Sequence, residues 1–276
     1  MVKNPRKKIF YIIIIFVALF FVISCACPPD VIRDSPASRI TLSSNYFNPN
    51  VRNLTISLPS LHRSRIASWE VEILEPQPPH LVFHKWVGEG PPPPRLIWDG
   101  KNSEGEWVHS ASDYPLIYST SDIDGNTRTI ESKITVDVFV IQEEYGLRMI
   151  IPSIVFAANS GTWEGLDTET IANNEWILSR IALTLNKHRK YKVRVEGHAN
   201  PTVNPNDTAG RTREQTQELQ PLSQIRAGTI VNELVKLGIE SSRLSYYGIG
   251  GEHPVAAWTD HDSWWKNRRV EFILTE

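Results

Sequence analysis

The chain has 276 residues, of which 41% are apolar and 22% charged, and its formal net charge is −2. This length suffices for a short leader and two domains that each bury a core, and the composition excludes disorder throughout. A mildly acidic chain is a poor ligand for polyanions, because nucleic-acid binding depends on clustered Lys and Arg. We therefore expect no nucleic-acid partner.

The N-terminus has the three-part plan of a secretory signal peptide. Residues 2–8 carry four positive charges, residues 9–23 form an apolar run, and Ser24 is a small residue at the expected cleavage point. Fifteen apolar residues are short for a bilayer core of roughly 30 Å, which calls for about 20. We expect residues 1–24 to be removed. The alternative interpretation is a retained membrane helix.

The segment Val22–Cys25 (VISC) resembles the lipobox of bacterial lipoproteins, in which a cysteine is acylated and becomes the mature N-terminus. The resemblance implies that Cys25 carries the lipid. Cys27 fits less well, because Ser24 would then occupy a position that has a bulky aliphatic residue. One acyl chain holds a protein only marginally, so stable anchoring in a bilayer needs more than one. Ala26 follows Cys25, which in this family favours the outer membrane.

Residues 25–38 include three prolines and predict an extended tether. Between residues 39 and 145, short strand-like runs alternate with turn signals and no 3.6-residue period is visible, which is typical of a β-sandwich. The predicted strands are Leu54–Leu58, Trp69–Ile73, Leu81–Trp86, Leu116–Thr120 and Ile134–Ile141.

The turn motifs of this region are Trp98–Gly100, Gly105 and Asp122–Asn126, with Tyr114 between them. They resemble the Ig-like repeats of bacterial surface proteins and of hook-capping-type flagellar proteins. The resemblance implies an Ig-like β-sandwich over residues 39–145 that serves as a spacer or docking surface. The region has no pair of acids and no histidine cluster that would indicate chemistry.

The periodicity changes near residue 146, and the rest of the chain predicts the order β-α-β-α-β-β. The expected elements are a strand Met149–Phe156, a helix capped by Asp167 or Thr168, a strand through Val193–Gly197, a helix Leu222–Leu237 closed by Gly238, and strands Leu244–Ile249 and Val270–Leu274. In the second helix we expect Ile225, Leu234 and Val235 to point inward. Residues 208–220 read as a polar insertion before that helix.

An ordered set of short motifs accompanies these elements. It comprises Val195–Asn200 (VEGHAN), Leu222–Ala227 (LSQIRA), Gly238–Ile239, Arg243, Gly248–Gly250, Pro254 and Asn267–Glu271 (NRRVE). The set, in this order, resembles the OmpA-like peptidoglycan-associated domain over residues 146–276. The resemblance implies an α+β chain of two domains, with a pocket for the stem peptide of the cell wall between the strand that ends near His198 and the helix that begins near Leu222.

The resemblance also implies the peptidoglycan-binding residues, which are Asn200, Arg226, Phe156, Asn267 and Arg268. A guanidinium offers a planar fork of donors that suits a carboxylate, which Lys does not reproduce. The family has Asp where this sequence has Asn200, so we expect weaker pairing with a ligand ammonium. The reason is that a hydrogen bond to a charged group contributes about 1.5–3 kcal/mol, against about 0.5–1.5 for a neutral one.

Other polar and aromatic residues have a structural interpretation beside the functional one. We expect Arg269 and Glu271 on the solvent face of the last strand. Three tryptophans flank that strand and either stack on glycan or, as we favour, cover a core edge: Trp258, Trp264 and Trp265. Three histidines lack the spacing of metal ligands and are expected to be hydrogen-bonded or exposed: His198, His253 and His261.

The chain has no Gly-x-Ser-x-Gly motif, no cysteine beyond the leader region and no ligand-spaced histidines. We therefore predict no catalysis, no metal and no cofactor. The predicted function is an outer-membrane lipoprotein that binds the peptidoglycan stem peptide and tethers the envelope to the wall, with the lipid bilayer and an envelope protein as further partners. The alternative is an OmpA-like fold kept as an interaction scaffold in the envelope or flagellar apparatus.

Overall fold

The structure is a computed structural model that describes residues 39–59, 63–144 and 146–276. The predicted signal peptide, tether and lipidated Cys25 lie outside these residues. The described residues belong to one compact unit, in which a β-rich region is followed by an α+β region. None of the described helices combines the length and the apolar character that a membrane span requires.

The described part of the β-rich region has eight strands. They are β1 (Thr41–Leu42), β2 (Tyr46–Phe47), β3 (Leu54–Ser57), β4 (Ile66–Leu74), β5 (Val82–Glu89), β6 (Arg95–Trp98), β7 (Asp113–Asp122) and β8 (Thr127–Val136). Three strands form one sheet in the order β1-β3-β6, and five form another in the order β2-β8-β7-β4-β5. Neighbouring strands are antiparallel, except that β2 and β8 are parallel.

The two sheets face each other across one apolar core. Strand β7 shows the alternation that this requires, because Tyr114, Leu116 and Tyr118 are fully buried while the residues between them are not. Trp98 from the smaller sheet stacks on Phe47 of the larger one, with 5.3 Å between ring centroids. The region is therefore β-rich and built in two layers.

The described part of the α+β region has five strands and three α-helices. They are β9 (Ile141–Glu143), β10 (Gly146–Ile151), α1 (Thr168–Lys187), β11 (Lys192–His198), α2 (Thr208–Glu214), α3 (Gln220–Lys236), β12 (Leu244–Gly250) and β13 (Val270–Thr275). The strands form one sheet in the order β12-β11-β13-β10-β9, in which only β11 and β12 are parallel. The expected order β-α-β-α-β-β is present, with β9 and α2 added.

Helix α1 begins where the sequence predicted. Asp167 caps it and accepts a hydrogen bond from the backbone N–H of Thr170 at 2.9 Å. Ile177, Ile181 and Leu185 repeat at helical spacing and are completely buried against the sheet. Helix α1 therefore covers one face of the sheet together with α3.

The inward face of α3 differs from the predicted one. Ile225 is 57% exposed and Val235 is 40% exposed, so both predictions were wrong, whereas Leu234 is buried as expected. The buried face also contains small residues such as Ala227. Small side chains face the sheet because the helix lies very close to it, which turns Ile225 away.

Two strands end earlier than predicted, and one segment is more helical than predicted. Strand β8 ends at Val136 because Asp137 leaves the sheet to pair with Arg180 of α1. Strand β10 ends at Ile151 because Pro152 has no N–H to donate to a ladder. Residues 208–220, predicted as a polar insertion, are mostly helical and lead into α3 through a wide π-helical turn.

The β-rich region contacts the α+β region through polar and aromatic groups. Lys266 forms an ion pair with Glu75, with 2.7 Å between Nζ and Oε1. The Nε of Arg180 donates a hydrogen bond to Asp137 at 2.8 Å. Tyr46 stacks on Trp176 with 5.8 Å between ring centroids. The first contact joins the turn after β4 to the loop before β13, and the other two join the β-rich region to α1. The boundary between two domains at residues 145 and 146 stays a prediction.

Candidate functional site

A cavity of about 230 Å³ lies where β11, the first turns of α3 and the start of β13 meet the segment that follows β10. Three of the five predicted site residues line it: Phe156, Arg226 and Arg268. His198, Arg269 and Trp265 also line it, and Gln77 reaches it from the β-rich region. The other two predicted residues, Asn200 and Asn267, do not line this cavity.

Two glycines allow α3 to approach the sheet closely enough to form this cavity. A Cβ atom on Gly197 would lie 2.3 Å from the carbonyl oxygen of Ser223, and one on Gly248 would lie 2.3 Å from the backbone nitrogen of Gln224. The hydroxyl of Ser223 accepts a hydrogen bond from the N–H of Gly250 at 2.9 Å, which ties the helix to the end of β12. This contact places Arg226, one turn further on, at the cavity.

Arg226 is held by backbone carbonyls. Its Nε donates to the carbonyl of Ser160 at 3.0 Å, and its Nη2 lies 3.4 Å from the carbonyl of Ala157. The guanidinium carbon lies 5.1 Å from the centre of the Phe156 ring, a cation–π distance. A guanidinium has five N–H donors, so three remain for a ligand.

The charge of Arg226 has no counter-ion among the described residues. No carboxylate lies within ion-pair distance of it in that part of the chain. Burial lowers the pKa of Arg226, and the positive charge of Arg268 lowers it further. Arg268 is exposed and likewise makes no ion pair with a described residue. Two guanidinium groups without a carboxylate partner make the lining of the cavity positive, which favours an anionic ligand.

The backbone next to Phe156 is held by the buried side-chain amide of Asn174. Asn174 on α1 is completely buried and brackets Val155, because its Oδ1 accepts from the Val155 N–H at 3.0 Å and its Nδ2 donates to the Val155 carbonyl at 2.7 Å. The irregular segment after Pro152 therefore has a defined path, and Phe156 lies beside Arg226.

Asn200 and Asn267 are buried and bonded to each other. Asn267 donates from Nδ2 to the Oδ1 of Asn200 at 2.8 Å, and its own Oδ1 accepts from the N–H groups of Val255 and Ala256. The exposed fraction is 8% for Asn200 and 1% for Asn267. In this arrangement the pair joins the loop before β13 to the end of β11.

The inserted segment holds the neighbouring loops. Glu214 is buried and accepts from both the N–H and the hydroxyl of Thr202 at 2.7 Å. Gln215 donates to the carbonyl of Ile249 and accepts from the N–H of Gly251, each at 2.8 Å. The helical insertion thus fixes the ends of β11 and β12 beside the cavity.

The expectation that Arg269 and Glu271 face solvent was wrong, because both are buried. Arg269 donates from Nε to Glu271 at 2.6 Å, and Arg148 approaches the other oxygen of Glu271 at 2.6 Å. The loop before β13 covers this side of the strand, and Arg269 donates to the carbonyl of His253 at 3.2 Å. Burial acts to raise the pKa of Glu271, but the hydrogen bond from Arg148 and the charge of Arg269 outweigh it and lower that pKa.

His198 was expected to be hydrogen-bonded or exposed, and it is neither. It is 6% exposed, and both ring nitrogens are buried without a hydrogen-bond partner among the described groups. Burial, with the nearby charge of Arg269, lowers the pKa of His198 to about 4. The ring is therefore neutral at pH 7 and offers one donor and one acceptor. His253 and His261 are exposed, as predicted.

Glu196, His198 and Glu271 are close enough together to be considered as metal ligands, with their ligand atoms all within 4.8 Å of one another. Both carboxylates already form ion pairs with arginines. Glu271 bridges Arg148 and Arg269, and Arg194 donates to Glu196 at 2.6 Å. A divalent cation would have to displace these positive charges. The arrangement therefore does not favour a metal ion.

The three tryptophans near β13 are largely occupied by loop contacts. Trp258 donates to the carbonyl of Thr202 at 3.1 Å, and Trp264 donates to the carbonyl of Trp258 at 3.2 Å. Trp265 is 9% exposed and packs edge-on against His109. These contacts favour the core-covering interpretation, although Trp265 also reaches the cavity.

A model of the OmpA family matches residues 167–268 of the chain. A peptidoglycan-associated lipoprotein of Mesorhizobium japonicum is 36% identical over 123 residues, which are 44% of this chain and 67% of that protein. The chain belongs to the OmpA family. The resemblance inferred from the motifs of residues 195–271 is thereby confirmed, whereas the Ig-like resemblance of residues 39–145 stays a prediction.

Two further matches cover a similar share of this chain. A peptidoglycan-associated lipoprotein of Agrobacterium fabrum is 32% identical over 122 residues, which are 43% of this chain and 63% of that protein. The cell wall anchor of the T6SS from Pseudomonas aeruginosa is 24% identical with a TM-score of 0.38, and the match covers 50% of this chain and 88% of that one.

Proposed function

We propose that this OmpA-family chain binds peptidoglycan non-covalently through the cavity beside Arg226. The observation that carries the proposal is the pair Arg226 and Arg268, two guanidinium groups that flank one cavity and have no carboxylate partner among the described residues. The relatives' names, peptidoglycan-associated lipoproteins, support the choice of ligand.

A stem-peptide carboxylate would accept hydrogen bonds from the donors that Arg226 does not use. The bonds from Arg226 to the carbonyls of Ser160 and Ala157 already orient the guanidinium, so little side-chain freedom is lost on binding. Ile154 and Val155 supply apolar wall for the aliphatic part of the ligand. In this mode of recognition, the guanidinium of Arg226 donates charge-assisted hydrogen bonds to a carboxylate beside the ring of Phe156.

The same groups support binding without catalysis. The hydroxyl of Ser223, which lines the cavity, donates to the carbonyl of Gln220 at 3.0 Å and accepts from Gly250, so it is occupied as a structural bond. His198 is neutral but has no nucleophile bonded to it among the described groups. A base paired with a nucleophile is what acyl or glycosyl transfer would need.

The membrane anchor is part of the proposal. Acylation of Cys25 at the outer membrane, after removal of residues 1–24, would leave a proline-containing tether between the bilayer and residue 39. Mass spectrometry of the mature chain should then find an acylated N-terminal Cys25. An unmodified N-terminus at another residue, or an intact leader, would contradict this anchor.

We further infer that residues 39–145 form an Ig-like module that acts as a spacer or docking surface. Two sheets that share one core, with Trp98 stacked on Phe47 between them, support this interpretation. In this arrangement the module would set the distance between the lipid and the wall-binding cavity, or contact another envelope protein.

The alternative function is an interaction scaffold. The bonds from Arg226 to loop carbonyls favour it, because they would hold the loop even without a ligand. Co-sedimentation of the full chain in detergent with purified sacculi distinguishes the two functions. The proposal requires saturable binding to sacculi. A chain that stays in the supernatant at all concentrations would contradict wall binding and favour the function as an interaction scaffold.

A further inference from the structure

A second cavity, of about 470 Å³, lies between the β-rich region and the loop before β13. Among the described residues, Arg269 is the only one that lines both this cavity and the cavity beside Arg226. We call it the junction cavity, because Phe83 and Trp107 line it from the β-rich region and Lys266 lines it from the loop. Small-molecule sites commonly have volumes of about 300–1,000 Å³, so the junction cavity is large enough for a ligand.

Aromatic rings form much of the apolar lining of the junction cavity. Trp107 and Phe139 contact each other, with 6.1 Å between ring centroids and 58° between ring planes. Phe83 packs edge-on against the buried Tyr114 at a centroid distance of 5.2 Å, so the core fixes the position of its ring. Flat aromatic groups pack well on such rings in offset or edge-on arrangements. The apolar lining is therefore suited to a ligand with a flat aromatic body.

Two cations line the same cavity and have unused N–H donors. The Nζ of Lys266 donates to Glu75 at 2.7 Å, and an ammonium has three donors. Arg269 is 5% exposed, and its Nη1 is buried without a hydrogen-bond partner among the described groups. Buried donors without a partner favour a ligand that brings an acceptor. A carboxylate is the acceptor that suits both side chains, because its hydrogen bonds to them are charge-assisted.

His109 connects the two cations to the aromatic part of the lining. Its ring packs edge-on against Trp265 at 5.0 Å, and its nitrogens make no hydrogen bond with a described residue. Burial lowers the pKa of His109 to about 3, and the charges of Lys266 and Arg269 lower it further. Because both charges act on one imidazole, the two cations lie near the same ring. The imidazole is neutral at pH 7 and offers a further N–H donor.

The two acids of the lining do not cancel this positive charge. Glu106 and Asp260 are both exposed, and Glu106 already accepts a hydrogen bond from Asn102 at 2.8 Å. Solvent and salt screen exposed charges more than buried ones. The less exposed cations, Lys266 and Arg269, therefore dominate the potential inside the cavity.

We propose that the junction cavity is a second binding site, and that its ligand is a small carboxylic acid with a flat aromatic body. The carboxylate accepts hydrogen bonds from Lys266 and Arg269, and the aromatic body lies against Trp107 and Phe139. Because the lining comes from both regions, the ligand joins the β-rich region to the loop before β13. This inference does not depend on wall binding, and its test uses no peptidoglycan.

The test uses 2-naphthoate and its uncharged isostere 2-naphthamide as probes. Each is titrated calorimetrically into the full chain in detergent at pH 7, and the heat of titration into detergent alone is subtracted. The wild type should bind one 2-naphthoate per chain and should bind 2-naphthamide at least tenfold more weakly, because the amide loses the charge-assisted hydrogen bonds. Absence of 2-naphthoate binding at millimolar concentrations, or equal affinities for the two probes, would overturn the proposal.

Substitutions locate the bound probe. Val255 lines the junction cavity and is 58% exposed, so Val255→Asp adds a negative charge there without burying it. This change should weaken 2-naphthoate binding about three- to tenfold through charge repulsion. Val255→Thr, which keeps the shape without the charge, should bind like the wild type. So should Val51→Asp, which adds the same charge at an exposed residue outside the lining.

Arg226→Ala separates the two cavities, because Arg226 lines only the first of them. If the probe binds in the junction cavity, this variant should bind 2-naphthoate like the wild type. A tenfold loss in Arg226→Ala would place the carboxylate in the cavity beside Arg226 and overturn the second site. Equal affinities of Val255→Asp and Val51→Asp would also overturn it, because the probe would then not lie near Val255.

Discussion

Asn267 donates a hydrogen bond from its side-chain amide to the side-chain oxygen of Asn200 at 2.8 Å. The same residue accepts two backbone N–H groups with its other amide atom, from Val255 and Ala256. Both side chains are buried. The pair therefore links the loop before β13 to the end of β11, and through that loop it helps to position Arg268.

Asn200→Ala removes the acceptor and leaves a buried amide of Asn267 without a partner. We expect the free energy of unfolding to fall by about 1–3 kcal/mol, as measured by urea denaturation. Peptide affinity should fall less than in Arg226→Ala. Asn200→Asp is a partial control. The aspartate still accepts from Asn267, but it loses the 3.3 Å bond to the carbonyl of Pro201 and buries a charge, so we expect an intermediate loss of stability. Unchanged stability in Asn200→Ala, with a loss of binding as large as that of Arg226→Ala, would place Asn200 in direct contact with the ligand instead.

The contact between Gly197 and Ser223 predicts a second effect on stability. Gly197→Ala would force a Cβ to 2.3 Å from a backbone oxygen, so α3 must move away, and we expect a loss of about 2–3 kcal/mol, typical of overpacking. Gly228→Ala is the matched control, because its Cβ meets only the half-exposed Tyr246 ring at 3.0 Å. Alanine also favours a helix by up to about 1 kcal/mol over glycine. Equal stabilities of the two variants in thermal unfolding would contradict this close approach.

His198 should make stability depend on pH. Its pKa is about 4 in the folded chain, against an ordinary value of 6.5, so between these values the unfolded chain binds more protons. The free energy of unfolding therefore rises with pH across this window, and the contribution is fully present above pH 6.5 and lost as the pH falls toward 4.

The difference corresponds to about 3 kcal/mol for His198. His198→Gln should remove this part of the pH dependence, as measured by urea unfolding at several pH values between 4 and 7. His109, whose burial lowers its pKa to about 3, acts in the same direction and remains in the variant. The quantity to compare is therefore the pH dependence of the free energy of unfolding in the wild type and in His198→Gln. Identical pH profiles would show that His198 is not buried as a neutral ring.

Local sequence patterns were sufficient to predict most of the strands and helices of the α+β region. The alternation at Val193 and Val195 predicted β11, Asp167 capped α1, and Gly238 adopts the positive φ of 88° that ends a helix. The same patterns did not predict the burial of Arg269 and Glu271. Their burial depends on a loop and on partners over a hundred residues away, such as Arg148, and no local periodicity records that.

The candidate site was predicted in part for the same reason. Arg226 and Arg268 lie in motifs that point to a ligand, and both line the cavity. His198 also lies in a motif, but the sequence did not predict that its ring nitrogens would be buried without hydrogen-bond partners, because that depends on tertiary packing. Gln77 carried no signal, because it reaches the cavity only through the contact between the β-rich and α+β regions.

The boundary near Gly146 can be tested by truncation. A chain that begins at Gly146 should unfold cooperatively on its own, while one that begins at Asp137 should be more stable. The longer chain keeps β9 and the pair of Asp137 with Arg180, and we expect a gain of about 1 kcal/mol or more. If the shorter chain is unfolded while the full chain is folded, the proposed boundary is wrong.

Sedimentation of the full chain with purified sacculi, in wild type and two variants, tests most directly whether the cavity beside Arg226 is the wall-binding site. Arg226→Ala should weaken binding at least tenfold, since it removes a charge-assisted fork of about 1.5–3 kcal/mol. Arg213→Ala, which removes the same charge from an exposed position on α2, should bind like the wild type. Equal binding by all three chains would contradict the proposed site.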